Sequence, residues 1–253
     1  MSVQLFAFTC GHVTSDAERF LDGKSGKLTV PVPAYLIVHE QGRVLFDTGL
    51  NLAIRQDKAR LLGPDAENWE IDYPQGADIA SQLARLDIAP SDIRCVVNSH
   101  LHYDHCGGNA HFPKATLVVH AKEWRAAHRD NTQAAGIYNP RDFDHMTMVR
   151  EVDGELDLFG DGSVVVFPTP GHTPGHQSLR LKLASGTVVL AADCCYLKQT
   201  LDTSHLPRFA YNREQMLESL DLLRNLQSDG ARIFFGHDPE FWKSVPQAPE
   251  PIR

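Results

Sequence analysis

The stretch NSHLHYDHCGGN places four side chains of metal-ligand type within six residues. His100 and His102 are two positions apart, and Asp104 and His105 follow almost at once. Imidazole nitrogens and carboxylate oxygens are ligands for divalent transition metals. A polar loop that is rich in histidine by chance is the competing interpretation, but the HxHxDH spacing favours a metal site.

Further residues of the same types stand directly after the last apolar residues of predicted strands. His172 follows SVVVFPTPG, Asp193 follows TVVLAA and His237 follows RIFFG, just as His100 follows IRCVVNS. In a layered α/β fold, functional groups gather beyond the strand ends at one edge of the sheets. We therefore expect these four segments to converge on one site.

The candidate ligands divide into two sets. Because residues i and i+2 of an extended segment project to the same side, His100 and His102 can face one metal. Asp104 and His105 come after a bend and point elsewhere. The predicted ligands are His100, His102 and His172 for one ion, Asp104, His105 and His237 for a second ion, and Asp193 as a bridge to both. Two divalent ions are expected, zinc first, with iron, cobalt or manganese as alternatives.

The elements that must position these residues are mostly short strands. Apolar runs bounded by turn residues predict strands over 3–8, 34–40, 43–47, 93–99, 116–120, 163–168, 178–183, 187–192 and 232–236. Helical periodicity predicts helices over 78–86, 121–129 and 212–230. Residues 51–76 and 130–160 are polar and fit no element. The pattern predicts a layered α/β fold with sheets inside and helices outside.

Composition limits the class of protein. The net charge of the 253 residues is −8 and no run of Lys or Arg occurs, which argues against a nucleic-acid partner. No apolar stretch approaches the roughly 18 residues of a membrane span, and the first residues lack the pattern of a signal peptide. The five cysteines form no CxxC pair, which favours a reduced cytoplasm.

Five segments resemble those of the metallo-β-lactamase superfamily and run in that family's order. They are FDTG (46–49), SHLHYDHCGGN (99–109), PGHTPGH (170–176), AADCCY (191–196) and FFGHD (234–238). The resemblance implies an αββα sandwich, two mixed sheets covered by helices, with residues 1–253 as a single domain. It also implies a dinuclear metal site at one edge of the sandwich.

Within that superfamily, the chain is similar to the N-acyl homoserine lactone lactonases in SGKLTVPVPAYLIVHEQGRVLFDTG (25–49), PGHTPGHQSL (170–179) and DCCY. This resemblance implies that a hydroxide shared by two metals opens the lactone ring. It also implies that Tyr196, three residues after Asp193, contacts the substrate, although a packed aromatic is the competing interpretation. Asp104 is expected to pass a proton to the leaving oxygen.

Other residues have expected supporting roles. The carboxylate of Asp47 is expected to fix the tautomer of a ligand histidine, and His176 is expected to support the site without being a ligand. Cys194 and Cys195 depart from the small residues expected there, and we interpret both as buried small hydrophobic residues. The candidates for an apolar groove that holds an acyl chain are Phe20, Leu21, Tyr103, Leu206 and Phe209.

Several functions remain open from the sequence. The substrate is expected to be a small lactone, but related lactonases that open rings such as pyridoxolactone share these motifs. A thioester or phosphoester hydrolase would use the same metal site, and a metal- or redox-binding protein would use it without hydrolysis. β-Lactam hydrolysis is a further side activity to consider. Monomer and homodimer are both compatible with the sequence.

Overall fold

The computed structural model describes residues 3–129, 138–208 and 210–253. Its strands are β1 (Gln4–Asp16), β2 (Lys27–His39), β3 (Gly42–Phe46), β4 (Glu70–Asp72), β5 (Ile93–Val97), β6 (Thr116–His120), β7 (Val149–Val152), β8 (Leu156–Asp157), β9 (Val164–Pro168), β10 (Gln177–Leu183), β11 (Gly186–Ala192) and β12 (Arg232–Phe235). Its α-helices are α1 (Lys58–Leu62), α2 (Ile79–Ala84), α3 (Tyr103–Cys106), α4 (Ala121–Ala127), α5 (Lys198–Thr203), α6 (Arg213–Ser228) and α7 (Pro239–Trp242). Short 3-10 helices occur at Ala17–Arg19, Leu52–Arg55, Gly63–Asn68, Pro90–Asp92, Asn109–His111 and Pro140–Asp142.

The strands form two mixed sheets. The first sheet has the order β4-β1-β2-β3-β5-β6-β7, antiparallel from β4 to β3 and parallel from β3 to β7. The second sheet has the order β12-β11-β10-β9-β8, in which β11 and β12 are parallel and the other neighbours are antiparallel. Both sheets are therefore mixed, as the resemblance implied.

Side chains that alternate between the two faces of each strand pack the two sheets and the helices into four layers. In β3, Val44 and Phe46 pack between the two sheets, whereas Leu45 faces the opposite side together with α2 and α4. In β9, Val166 faces the first sheet and Phe167 faces α6. Because successive strand residues point to opposite faces, each apolar strand buries one face on a sheet and the other on helices. The predicted αββα sandwich is confirmed.

Every predicted strand is present, and the first two are longer than their apolar runs. β1 and β2 pair from Gln4↔Val38 to Asp16↔Lys27, with an irregularity between Thr9 and His12. Backbone pairing thus extends both strands beyond the apolar runs that predict them. The short strands β4, β7 and β8 lie in the stretches that fitted no element. Each lies at a sheet edge, where few apolar residues are needed.

The predicted helices are also present. The side chain of Asp78 accepts a hydrogen bond from the backbone N–H of Ser81 at the start of α2. The side chain of Asn212 caps α6 in the same way through the N–H of Gln215. The third predicted helix is α4. Within the three described ranges, no helix is long and apolar enough to cross a membrane.

The topology directs several strand ends to one place. β9, β11 and β12 run in the same direction in the second sheet, because β10 is antiparallel to both β9 and β11. β3 and β5 are parallel neighbours in the first sheet. The segments that leave the carboxyl ends of these strands carry Asp47, His100, His172, Asp193 and His237.

Candidate metal centre

The HxHxDH loop changes conformation after His102. The chain leaves β5 without regular structure, and His102 has the extended φ and ψ of −74° and 158° at the N-cap of α3. Asp104 and His105 then lie on the helical turn. The bend expected after His102 is therefore the start of a helix. Gly107 follows, where a Cβ atom would lie 2.2 Å from the backbone nitrogen of Asn51, so this close approach requires glycine.

The first predicted set of ligands converges. Nε2 of His172 lies 3.2 Å from Nε2 of His100 and 3.1 Å from Nδ1 of His102. Oδ2 of Asp193 lies 3.3 Å from Nε2 of His172 and 3.7 Å from Nε2 of His100. One ligand-type atom from each of these four residues lies within 4.8 Å of the others.

The second predicted set converges beside the first. Oδ2 of Asp104 lies 3.7 Å from Nε2 of His105 and 3.6 Å from Nε2 of His237. Oδ1 of Asp193 lies 3.2 Å and 3.0 Å from the same two nitrogens. The two oxygens of Asp193 thus face different groups, as expected of a bridging carboxylate.

The arrangement fits divalent cations. Ligand atoms of a tetrahedral zinc at about 2.0–2.2 Å are roughly 3.3–3.6 Å apart, close to the separations within each group. Nε2 of His105 and Oδ1 of Asp193 are buried without a hydrogen-bond partner, so their 3.2 Å separation is not an aligned donor–acceptor pair. Buried polar atoms without partners are rare and call for an ion or water.

Neighbouring groups fix the orientation of the imidazoles. Nδ1 of His105 lies 2.8 Å from Oδ2 of Asp47, the carboxylate expected to fix a ligand tautomer. Nδ1 of His237 lies 2.8 Å from the carbonyl oxygen of Pro31. An N–H at Nδ1 donates to these oxygens, which leaves the lone pair of Nε2 directed into the site.

Electrostatics differ between the two groups. Burial lowers the pKa of His102 to about 4. For His105 and His237, burial also acts to lower the pKa, but the carboxylates of Asp193 and Asp104 outweigh it and raise the pKa above its usual value. These imidazoles in turn overcome the burial of Asp193 and hold its pKa low. Without metal, the protonated imidazoles of His105 and His237 therefore balance the charge of the carboxylates in the second group. Metal binding there must displace protons from these imidazoles.

Tyr196 lies beside both groups. Its hydroxyl oxygen is 3.3 Å from Nδ1 of His172, and its ring centroid is 5.4 Å from that of His237. Burial and then the charge of Asp193 raise the pKa of the phenol well above its usual value. The hydroxyl is therefore protonated at neutral pH and can act as a donor.

A row of aromatic rings continues away from Tyr196. Phe20 lies edge-on to Tyr196 at 5.9 Å and to Trp69 at 6.1 Å, and Trp69 lies edge-on to Tyr103 at 6.0 Å. Leu21 belongs to the same apolar cluster. Two of the groove candidates, Phe20 and Tyr103, thus lie on one side of the site in the same row of rings.

Two other groove candidates have different outcomes. Leu206 packs with Cys194, Cys195 and Met216 against the outer face of the second sheet. The expectation that Leu206 lines the acyl groove is therefore wrong, because its apolar side chain packs against α6. Phe209 lies outside the described residues.

His176 and the paired cysteines occupy supporting positions. Nδ1 of His176 lies 2.9 Å from Oγ1 of Thr169, and among the described residues this histidine belongs to neither ligand group. Cys194 and Cys195 are buried, and burial raises the pKa of Cys194 to about 12. Both thiols therefore behave as small hydrophobic residues, as predicted.

Two residues near the site did not emerge from the sequence. Trp69 lies in a polar stretch that fitted no element, and nothing in its neighbourhood distinguishes it. Glu123 lies in α4 and is fully buried. Its spacing to the buried residues Ala126 and Ala127 places it on the inner face of the helix, which is the one signal that could have identified it.

Comparisons with known proteins agree with the geometry. The family model described as the metallo-beta-lactamase superfamily matches residues 29–237. The N-acyl homoserine lactonase AttM of Azorhizobium caulinodans is 32% identical over 234 residues, which cover 90% of this chain and 89% of AttM.

Two solved structures superpose over both full chains at 29% identity. One is an N-acyl homoserine lactone hydrolase with the product N-hexanoyl-L-homoserine bound at its catalytic metal center, with a TM-score of 0.88. The other is a variant of AiiA from B. thuringiensis with N-decanoyl-L-homoserine bound at the active site, with a TM-score of 0.89. The chain belongs to the metallo-β-lactamase superfamily, and its relatives there include N-acyl homoserine lactonases.

Proposed function

We propose that this protein is a metal-dependent hydrolase that opens the lactone ring of N-acyl homoserine lactones. The observation that carries the proposal is the convergence of two ligand groups on the two oxygens of Asp193. The proposal is also supported by relatives and solved structures that bear the names of N-acyl homoserine lactonases. We further propose that residues 1–253 form one domain. We also propose a cytoplasmic location, because the cysteines are reduced and buried.

Two divalent ions, zinc by expectation, would be held by the residues predicted from the sequence. The donor set of imidazoles and carboxylates without a thiolate suits zinc, iron, cobalt or manganese. The proposed ligands are His100, His102 and His172 for one ion, Asp104, His105 and His237 for the other, and Asp193 for both. When bound, such ions supply a nucleophilic water at neutral pH and polarise a carbonyl.

Tyr196 would act on the substrate through its hydroxyl. For Nε2 of His172 to keep its lone pair for a ligand role, Nδ1 carries the proton and donates to the phenol oxygen. The O–H of Tyr196 then remains available. It would donate to a lactone oxygen on which negative charge develops as water adds to the carbonyl carbon.

Asp104 would complete the reaction. Hydrolysis adds water across the ester, breaks the ring C–O bond, and leaves a carboxylate and an alcohol. The alcohol oxygen needs a proton as it leaves. Asp104 is 8% exposed, and its carboxylate lies beside His105 and His237. We assign to it the acceptance of the proton that the attacking water loses and its transfer to the leaving alcohol oxygen.

The aromatic row would bind the acyl chain. Phe20, Trp69 and Tyr103 extend from Tyr196 as an apolar wall. Burial of methylene groups stabilises binding in proportion to the apolar area removed from water. We infer that the protein binds the acyl tail of the substrate along this wall, while the lactone ring lies at the two ligand groups.

A substrate panel tests the proposed function. Purified, metal-loaded protein is mixed with homoserine lactones of different acyl length, a pyridoxolactone-type lactone, a thioester and a phosphoester, and proton release or product is followed. We expect N-acyl homoserine lactones to react with the highest kcat/KM. A protein with metal bound that leaves these lactones intact, or prefers the thioester or phosphoester, contradicts the proposal.

A further inference from the structure

The buried carboxylate of Glu123 joins two loops that carry candidate ligands. Its Oε1 accepts a hydrogen bond of 3.1 Å from the backbone N–H of Leu101. Its Oε2 accepts one of 3.0 Å from the backbone N–H of Gly175. Each carboxylate oxygen therefore holds a different loop, and the first turn of α4 sets the distance between them.

These two loops supply the three imidazoles of the first ligand group. Leu101 lies between His100 and His102, and Gly175 lies three residues after His172. Nε2 of His172 lies 3.2 Å from Nε2 of His100 and 3.1 Å from Nδ1 of His102. Because His172 belongs to the other loop, this meeting depends on how the two loops are held relative to each other.

The packing around Glu123 leaves little freedom. A Cβ atom on Gly175 would lie 2.1 Å from the backbone nitrogen of Glu123, so the loop lies directly against α4. Burial raises the pKa of this carboxyl, and hydrogen bonding around it offsets part of the rise. Its directional partners are the two backbone N–H groups, which point at one carboxylate oxygen each.

The hydrogen-bonding groups of the two loops favour a carboxylate at this position. Burial of a carboxylate is costly unless its oxygens are satisfied, and here each oxygen accepts a hydrogen bond from a backbone N–H group. The carboxylate has two oxygens that both accept, which suits two backbone N–H groups that approach from separate loops. An amide side chain offers one acceptor and one donor instead.

We propose that Glu123 is a positioning residue for the first ligand group and acts selectively on it. This inference rests on the proposed metal sites. The second group is held by other contacts, from Asp47 to His105 and from the Pro31 carbonyl to His237. Loss of the Glu123 contacts therefore weakens the metal held by His100, His102 and His172 and leaves the other metal in place.

The test is the variant Glu123→Gln in the full chain. Glutamine keeps the length of the side chain but presents an N–H₂ to one of the two backbone N–H groups, so one loop loses its acceptor. Affinities for two equivalents of zinc are measured by chelator competition. Amide exchange at Leu101 and Gly175 is measured in the metal-free protein.

We expect one of the two zinc affinities to fall by about 10- to 100-fold, the usual effect of removing such an outer contact, while the other is unchanged. Exchange at Leu101 or Gly175 should become faster. Asp142→Asn is the matched control, because Asp142 is also a buried carboxylate but bonds to Asn51 instead of a ligand loop. This control should keep both zinc affinities.

Two results would overturn the inference. One is wild-type zinc affinities at both sites in Glu123→Gln. The other is an equal loss at both sites, which would indicate a general structural role. A wild-type protein that binds no zinc would instead contradict the proposed function, so the two failures are distinguishable.

Discussion

The hydroxyl oxygen of Tyr196 lies 3.3 Å from Nδ1 of His172. This contact joins a residue expected to touch the substrate to a candidate metal ligand. The O–H of Tyr196 is protonated at neutral pH because burial and Asp193 raise its pKa. Its position allows a donor role in the reaction that is separate from metal binding.

The variant Tyr196→Phe tests that donor role. We expect kcat for lactone opening to fall by about 100-fold, the order found when one donor to a developing oxyanion is removed, while metal content stays at the wild-type level. Steady-state kinetics and metal analysis check both parts. Unchanged kinetics for every lactone would assign Tyr196 to packing alone.

The variant Asp193→Ala tests the bridge between the ligand groups. We expect most of the bound metal to be lost, because each group loses a ligand oxygen and the carboxylate that links the two groups is gone. Elemental analysis after desalting measures the loss. Asp153→Ala is the control, since that carboxylate is 84% exposed. Full metal content in Asp193→Ala would remove the bridging role.

Gly236→Ala tests the close packing beneath Asp193. A Cβ atom there would lie 2.5 Å from the carbonyl oxygen of Ala192 and 3.0 Å from Oδ1 of Asp193. We expect the carboxylate to shift, with zinc affinity reduced by about 10-fold or more, as for disturbed supporting contacts. Gly186→Ala, where φ is +123° and no neighbouring atom lies near the Cβ position, controls for backbone strain away from the site. Equal zinc affinities in wild type and Gly236→Ala would contradict this expectation.

The aromatic wall predicts a dependence on acyl length. Trp69→Ala removes the ring that lies between Phe20 and Tyr103. We expect kcat/KM for a decanoyl lactone to fall by about 10-fold, since a few methylene groups at about 0.8 kcal/mol each lose their contact, whereas a butanoyl lactone is little affected. Equal losses for both substrates would place the acyl chain elsewhere.

Asp142 predicts a pH-dependent difference in stability. Burial raises the pKa of this carboxyl from 3.8 to about 6. A raised acid pKa means that the folded protein loses stability as pH rises from about 4 to about 6, because the charged form is disfavoured only in the folded state. At pH 7, this shift in pKa corresponds to a loss of about 3 kcal/mol in the free energy of unfolding.

The variant Asp142→Asn removes that cost. We expect its free energy of unfolding, measured by urea denaturation of metal-free protein, to exceed that of wild type at pH 7 and to equal it at pH 4. Asp229→Asn, at an exposed position, should show no such trend. A variant that is less stable than wild type at pH 7 would contradict the account of Asp142.

Much of the candidate site could be predicted because its residues follow strands with clear apolar runs. His172, Asp193 and His237 each follow such a run, and parallel strand directions bring them to one edge. Trp69 and Glu123 could not be predicted in the same way. Their positions depend on tertiary contacts between segments far apart in sequence, which local patterns do not encode.

The fold shows the same division. β3 and β9 have apolar runs because both faces are buried, so periodicity and composition identify them. β4 and β8 are short, mostly polar edge strands, and pairing with a neighbour defines them. Leu206 illustrates the opposite error, since its place near a motif predicts a groove residue, whereas its side chain packs against α6.

The most direct test of the central claim is a titration of metal-free protein with zinc while the opening of N-hexanoyl homoserine lactone is followed. We expect full activity only after two equivalents of zinc per chain. The Asp193→Ala variant should lose most of its bound metal and its activity. Full activity at one equivalent, or no lactone opening with two equivalents bound, would contradict a two-metal lactonase.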